Sequence, residues 1–242
     1  MDFGITGRTA LIVGGTGYLG RAVAAALLAE GAQVVLGGRD QERLDATKAE
    51  LGGDNIGAVV RTVVIDTRDS ASVDAALAQV IASTGRLDIL VNTAAPSART
   101  LDPARDRDAD AVLDAIDGKA MGYLRVTQAA LPHMTAAGFG RIVQISGQNA
   151  HFTASVTSAA RNMVVTSFSK TLADAVAGSG VTINVVDPGA VTETPTTDVA
   201  MARGGDSTSA QVAALVTFLA SVPAAAISGE SIASGHRALG VQ

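Results

Sequence analysis

Ala10-Leu11-Ile12-Val13-Gly14-Gly15-Thr16-Gly17-Tyr18-Leu19-Gly20 is an apolar run that passes without a break into glycines and then into an alanine-rich segment. Apolar, largely branched residues in a row suit a strand buried on both faces. Glycines placed there let the chain turn tightly and let its backbone approach a pyrophosphate, while free N–H groups at the start of the next helix supply positive potential. A glycine-rich turn alone is a weak signal. On the first strand, ahead of a helix that stops at Glu30-Gly31, it reads as a dinucleotide-binding turn.

The same alternation continues outward. Short runs rich in Val and Ile at 10–13, 33–36, 59–65, 89–91, 142–145 and 182–186 are separated by helical spacing at 20–30, 70–83, 109–134, 156–177 and 209–220. Strands alternating with helices imply right-handed crossovers and a parallel sheet covered on both faces. The expected fold is therefore α/β, a doubly wound parallel sheet of Rossmann type. Gly31, Gly178, Gly180 and Asp187-Pro188-Gly189 mark element ends. The 192–208 segment, with Pro195 and Gly204-Gly205, follows a strand's carboxyl end and is read either as a cover over a ligand or as a plain surface loop.

A chain of 242 residues with 48% hydrophobic content suits one domain over 1–242, in which 1–91 is mainly the cofactor-binding half and 92–242 the substrate half. The formal charge of -5 and the 3% aromatic content argue against nucleic acid as a partner. Cysteine is absent, which removes disulfides, thiolate metal sites and a cysteine nucleophile. Asp2, and glycines directly after 10–13, do not suit a signal peptide, and no apolar stretch approaches the roughly 20 residues of a membrane span. A cytoplasmic location is expected. His133, His151 and His236 lie far apart without clustered carboxylates, so no metal site is expected.

Further segments carry a family resemblance: Asp66 after the third strand, Asn92-Thr93-Ala94-Ala95 after the fourth, 127–134, Gly140-Arg141-Ile142-Val143-Gln144-Ile145-Ser146, and Pro188-Gly189 with Thr192. Together with the glycine turn they make the chain resemble the short-chain dehydrogenase/reductase family over nearly its whole length. The resemblance implies a nicotinamide cofactor held by Gly14, Gly15, Thr16, Gly17, Tyr18, Leu19, Gly20, Arg39, Asp66, Thr67, Asn92, Ala94, Pro188, Gly189 and Thr192. Tyr18 stands where a glycine is frequent, leaving a Gly-x-x-Gly-x-x-Gly form. The second strand ends in Gly37-Gly38-Arg39-Asp40, without the acidic residue that would bind both ribose hydroxyls. Arg39 favours NADP(H) over NAD(H) because its guanidinium can bond a 2′-phosphate, though packing over the adenine would suit either.

The reaction half departs from the family's pattern. There a tyrosine protonates the nascent alkoxide, a lysine four residues later lowers its pKa, a serine orients the carbonyl and a helix-four asparagine relays protons. Alignment through Phe168-Ser169-Lys170 puts Ser158 at the tyrosine and Asn162 at the lysine. It also puts Gly147 at the serine, after Ser146, and Lys119 at the asparagine. Lys170 lies two turns too late and is read as solvated, and Tyr123 as structural.

The candidate chemical groups are then Lys119, Ser146, His151, Ser158, Arg161 and Asn162, with Gln148 and Asn149 nearby. Lys119 could carry its ammonium toward Asn162, burial lowering its pKa, or be an interface lysine. Arg161 could clamp a carboxylate or phosphate, or form a structural ion pair. His151 has a suitable pKa but is a lone loop histidine. Three functions remain open: an NADP(H)-dependent oxidoreductase acting on an imine, iminium or carbonyl, a non-redox lyase or isomerase, and a catalytically silent cofactor-binding protein. The resemblance also implies a small-molecule substrate and a homodimer or homotetramer.

Overall fold

In the computed structural model, which describes residues 2–54, 59–96, 101–151 and 155–238, the apolar run becomes β1 (Thr9–Val13), every residue of it buried. Successive side chains point to opposite faces. Ile12 joins Val23, Leu27, Leu36, Val143 and Val216 on one side. Leu11 and Val13 join Val73, Leu77, Leu90, Val126 and Ile142 on the other. Each fully buried branched side chain of this kind contributes about 2 kcal/mol, so neither face tolerates a one-residue slip.

The sheet is parallel throughout, in the order β3-β2-β1-β4-β5-β6-β7. Its strands are β1, β2 (Gln33–Gly38), β3 (Val60–Val64), β4 (Ile89–Asn92), β5 (Gly140–Ile145), β6 (Val181–Pro188) and β7 (Ser231–Ser234). Helices α1 (Tyr18–Ala29) and α7 (Ser209–Leu219) belong to one face, and α3 (Ser70–Thr84) and α5 (Gly122–Ala136) to the other. α2 (Gln41–Asp54), α4 (Ala109–Ile116) and α6 (Val156–Ala175) complete the single Rossmann-type domain. Winding reverses between β1 and β4, which are hydrogen-bonded neighbours. The crevice beyond their carboxyl ends is where such a sheet binds ligands.

Two elements were not expected from the sequence. α2 is too polar to show a helical stripe, and β7, Ser-Ile-Ala-Ser, is too short and mixed to read as a strand. The continuous helix expected over 109–134 is instead broken: α4 ends at Ile116, a π-helical turn occupies Asp117–Met121, and α5 follows. The break sits where two glycines meet the loop after β3. A Cβ on Gly118 would lie 2.6 Å from Arg68 Nη2, and one on Gly122 would lie 2.7 Å from Thr67 Oγ1. Such turns recur at functional sites, and here the turn carries Lys119 inward, to 5% exposure.

Candidate active site

A cleft of about 710 Å³ opens beyond β1, β2 and β4, lined among others by Gly14, Thr16, Gly17, Arg39, Arg43, Asp66 and Thr67. Gly14 has φ +85, a conformation that disfavours side chains. A Cβ on Gly20 would lie 2.1 Å from Gly14 O, so only glycine lets α1 start this close to the turn. Gly17 caps α1 with no side-chain hydrogen bond, which leaves the helix's first N–H groups for an anion. Thr93 Oγ1 donates to Val13 O (3.0 Å) and Gly14 O (3.2 Å), fastening the β4 loop against the turn.

At the far end of the cleft Arg39 and Arg43 are exposed, and neither forms an ion pair among the described residues. Asp40 Oδ1 accepts the Arg43 N–H (3.2 Å), starting α2 so that both guanidinium groups border one cleft. Glycines that a Cβ would crowd, a free helix terminus and two unpaired cations together fit a dinucleotide. Arg43 was missed in the sequence because α2 was.

Beyond the inner end of the cleft, at Gly118 and Pro96, lies a buried polar cluster. Lys119 Nζ donates to Asn162 Oδ1 (2.7 Å) and to Ser146 O (2.9 Å), and Ser146 Oγ donates to Asn162 O (3.0 Å). Burial pulls the Lys119 pKa down to about 7, helped by the neighbouring Arg161 charge and opposed by the Asp187 carboxylate. Asp187, 2% exposed, accepts the Gly147 N–H (3.1 Å) and the Ser231 hydroxyl. It was read in the sequence only as a strand end. Tyr123 is 1% exposed, donates to Ile145 O (3.3 Å), and is pushed well above the usual phenol range by burial.

Ser158, Arg161 and Asn162 share a face of α6, being three and four residues apart, and all three are buried. Arg161 Nη1 donates to Pro96 O (2.9 Å), while its Nε is buried without an acceptor. The α6 start is held by Ser155, whose Oγ accepts the Ser158 N–H (3.1 Å) and donates to Asp106 (2.5 Å). Asp106 also accepts from Val156 N (2.9 Å), and these hydrogen bonds, that of Ser155 foremost, hold its carboxyl below the usual range.

Of the residues that the sequence assigned to a cofactor, Gly14, Thr16, Gly17, Arg39, Asp66, Thr67 and Ala94 line the cleft. Gly15 and Gly20 act by close packing of the turn, a Cβ on Gly15 lying 2.9 Å from Leu36 Cδ2. Asn92 lies beneath, fully buried, its Nδ2 donating to Gln144 Oε1 (2.9 Å). Tyr18 reaches across to donate to the Glu193 carboxylate, and Thr192 N donates to Ser207 O (3.0 Å), so the 192–208 segment does approach the turn. Leu19 packs against the α1 core cluster, and Pro188 and Gly189 end β6, with Gly189 N donating to Ser234 O (3.3 Å).

His151 sits on a 3-10 turn (Gln148–His151) with no hydrogen bond from its ring among the described residues, and 152–154 lie outside them. Residues 97–100 also lie outside them. Lys170 is exposed and pairs with Asp174 (2.5 Å). Among the described residues no group of His, Asp or Glu could hold a metal, and no helix is long and apolar enough to cross a membrane.

The chain belongs to the short chain dehydrogenase family, whose profile matches residues 8–203. The BbsC subunit of (2S)-[(R)-hydroxy(phenyl)methyl]succinyl-CoA dehydrogenase from Thauera aromatica is 34% identical over 234 residues, 93% of this chain and 92% of that protein. The 3-oxoacyl-(acyl-carrier-protein) reductase FabG of Escherichia coli (strain K12) is 30% identical over 248 residues, covering 93% and 95%. Among solved structures, gox2181 matches with TM-score 0.85 at 26% identity over 96% of this chain and 95% of that one. A variant actinorhodin polyketide ketoreductase with NADPH matches with TM-score 0.83 at 26% identity over 95% and 96%. The family is one of oxidoreductases that bind nicotinamide cofactors.

Proposed function

We propose that the chain is an NADP(H)-dependent oxidoreductase with a rearranged proton-handling site, acting on an imine, iminium or carbonyl compound. Lys119 carries the reading. The family resemblance sets an asparagine at 119 and a lysine at 162; this chain has lysine at 119 and asparagine at 162, and the two side chains meet at 2.7 Å. Exchange between two facing positions keeps both groups, and keeps an ammonium in the site. With a pKa brought down to about 7, Lys119 holds a proton at neutral pH and can release it, as a general acid must.

Bound NADPH would supply a hydride. An iminium carbon that accepts it becomes a neutral amine and needs no further proton, whereas a carbonyl becomes an alkoxide that takes one. Ser158 is too weak an acid to give that proton unaided, but its hydroxyl has no hydrogen-bond partner among the described residues and is free to orient the reacting group. Arg39 and Arg43 support NADP(H) over NAD(H), since two unpaired guanidinium groups border the cleft. A homodimer or homotetramer fits Leu113, Val156 and Met163, large apolar side chains left exposed on α4 and α6.

The test is a fluorescence titration with NADPH and NADH, followed by nicotinamide absorbance with a panel of ketones and cyclic imines. At least tenfold tighter NADPH binding, with substrate-dependent oxidation fastest on the cyclic imines, is expected. Tight binding with no oxidation across the panel would favour the second reading, a catalytically silent cofactor-binding subunit. That reading rests on the serine at 158, where the family resemblance expects a phenol, and on the Thauera aromatica relative being named as one subunit of a dehydrogenase.

A further inference from the structure

The cluster behind the cleft holds two buried cations and one buried carboxylate. Lys119 is 5% exposed, Arg161 4% and Asp187 2%. Neither cation forms an ion pair among the described residues. Lys119 is held by the carbonyl oxygens of Asn162 and Ser146, and Arg161 by that of Pro96. A guanidinium cannot lose its proton near neutral pH, so Arg161 carries a full charge with no carboxylate of the described residues in salt-bridge contact with it.

Where Arg161 points limits what could match it. Its Nη1 is used by Pro96 O, and Pro96 lines the cleft. The opposite edge, Nε with Nη2, has no acceptor among the described residues, and Nε is buried. That edge is two parallel N–H donors on a planar fork, the geometry that binds a carboxylate through both oxygens. One turn earlier on the same face of α6 is Ser158, whose hydroxyl is also without a partner among the described residues. Lys119 follows Gly118, which lines the cleft from the other side.

We propose that the substrate carries a carboxylate, bound by the Nε/Nη2 edge of Arg161 with a hydrogen bond from Ser158, so that the reacting imine or carbonyl lies between α6 and the cleft. The inference rests on the oxidoreductase reading for what is done to the substrate, and on the unpaired guanidinium for what is recognised. A carboxylate would give the Arg161 guanidinium the ion pair it lacks among the described residues, and no neutral group would.

Calorimetric titration of the full chain saturated with NADP+ tests this without turnover, using benzoate, succinate, benzamide and inorganic phosphate as probes. Benzoate or succinate should bind at least tenfold more tightly than benzamide. Arg161→Gln should abolish that preference, and Arg161→Lys should restore part of it. Should Arg161→Gln fail to fold, the preference of the unaltered chain and the Arg161→Lys comparison still decide. Equal binding of benzoate and benzamide, binding of phosphate but neither carboxylate, no binding of either carboxylate, or carboxylate binding unchanged in Arg161→Gln would each overturn the proposal. The two readings fail separately. A chain that binds carboxylate yet oxidises no NADPH with any ketone, imine or oxo acid loses the oxidoreductase reading and keeps the anion site; one that reduces neutral ketones or imines and ignores carboxylates does the reverse.

Discussion

The glycine turn lines the cleft and the buried cluster lies beyond the cleft's inner end, and the two obey different rules. At the turn, identity is dictated by backbone: Gly14 by its positive φ, Gly20 by a carbonyl that leaves no room for a Cβ. Little substitution is tolerated, because what is required is absence of volume. In the cluster, on the proposed function, what is required is a charge at a point in space, and that point can be reached from more than one element. Lys119 reaches it from the π-helical turn and Asn162 faces it from α6. A site defined by sterics is tied to one place along the chain, whereas a charge can be delivered to one point from either of two facing neighbours.

Gly20→Ala should break the first half of this contrast most severely. A Cβ 2.1 Å from Gly14 O forces α1 away from the turn, with a loss of about 3 kcal/mol or more and no measurable NADPH binding. Denaturant midpoints and the fluorescence titration check both.

The cluster is sharpened by exchanging its residues. Lys119→Asn and Asn162→Lys should each lower turnover about 100-fold or more, and the double variant should recover most of the loss, because two facing groups act as a unit. NADPH affinity should change less than about threefold in all three, since neither residue lines the cofactor cleft. Steady-state kinetics with the best substrate of the panel decide, and a double variant no better than the single ones would show that the two positions are not interchangeable.

Lys119 also sets a pH signature. Its pKa is about 7 in the folded chain against 10.5 for an ordinary lysine, so between those values the unfolded chain binds the extra proton. Stability should therefore rise with pH across that window, by roughly a kcal/mol per unit, and lose the dependence below it, where both states are protonated. Among the described residues, Arg161 on α6, Asp187 on β6 and Tyr123 on α5 are the other ionisable groups around it. Lys119→Met should flatten the slope, as urea midpoints at pH 7, 8 and 9 would report.

Arg39→Glu should lower the preference for NADPH over NADH by about 10- to 100-fold, the worth of a charge-assisted contact to phosphate, without changing the melting temperature. Ser155→Ala gives the smallest effect. Loss of the α6 cap costs about 1 kcal/mol, and a somewhat higher KM should accompany it if Ser158 and Arg161 are displaced with the helix.

The alternation of β1 with α1, or of β5 with α6, was readable because these buried strands carry short apolar runs and because Gly31 and Gly178 follow their helices. α2 was not, since an exposed polar helix has no stripe to detect, and β7 was not, since an edge strand of four residues is defined by its partner β6. The glycines and Arg39 could be placed on the cleft from position along the chain. Arg43 could not be placed without α2, nor Asp187 without the cluster it borders.

The amino-acid sequence by itself determined the parallel α/β architecture, the place of the glycine turn, and which residue types stand at 119, 158, 161 and 162, because periodicity, glycine sterics and order along the chain are local properties. Only the tertiary structure decided that a π-helical turn carries Lys119 onto Asn162, and that Arg161 is buried with one edge unpaired. Those depend on distances between segments separated by up to 65 residues, such as Pro96 and Arg161. Such distances are set by packing α4, α5 and α6 against the sheet, which no local pattern encodes.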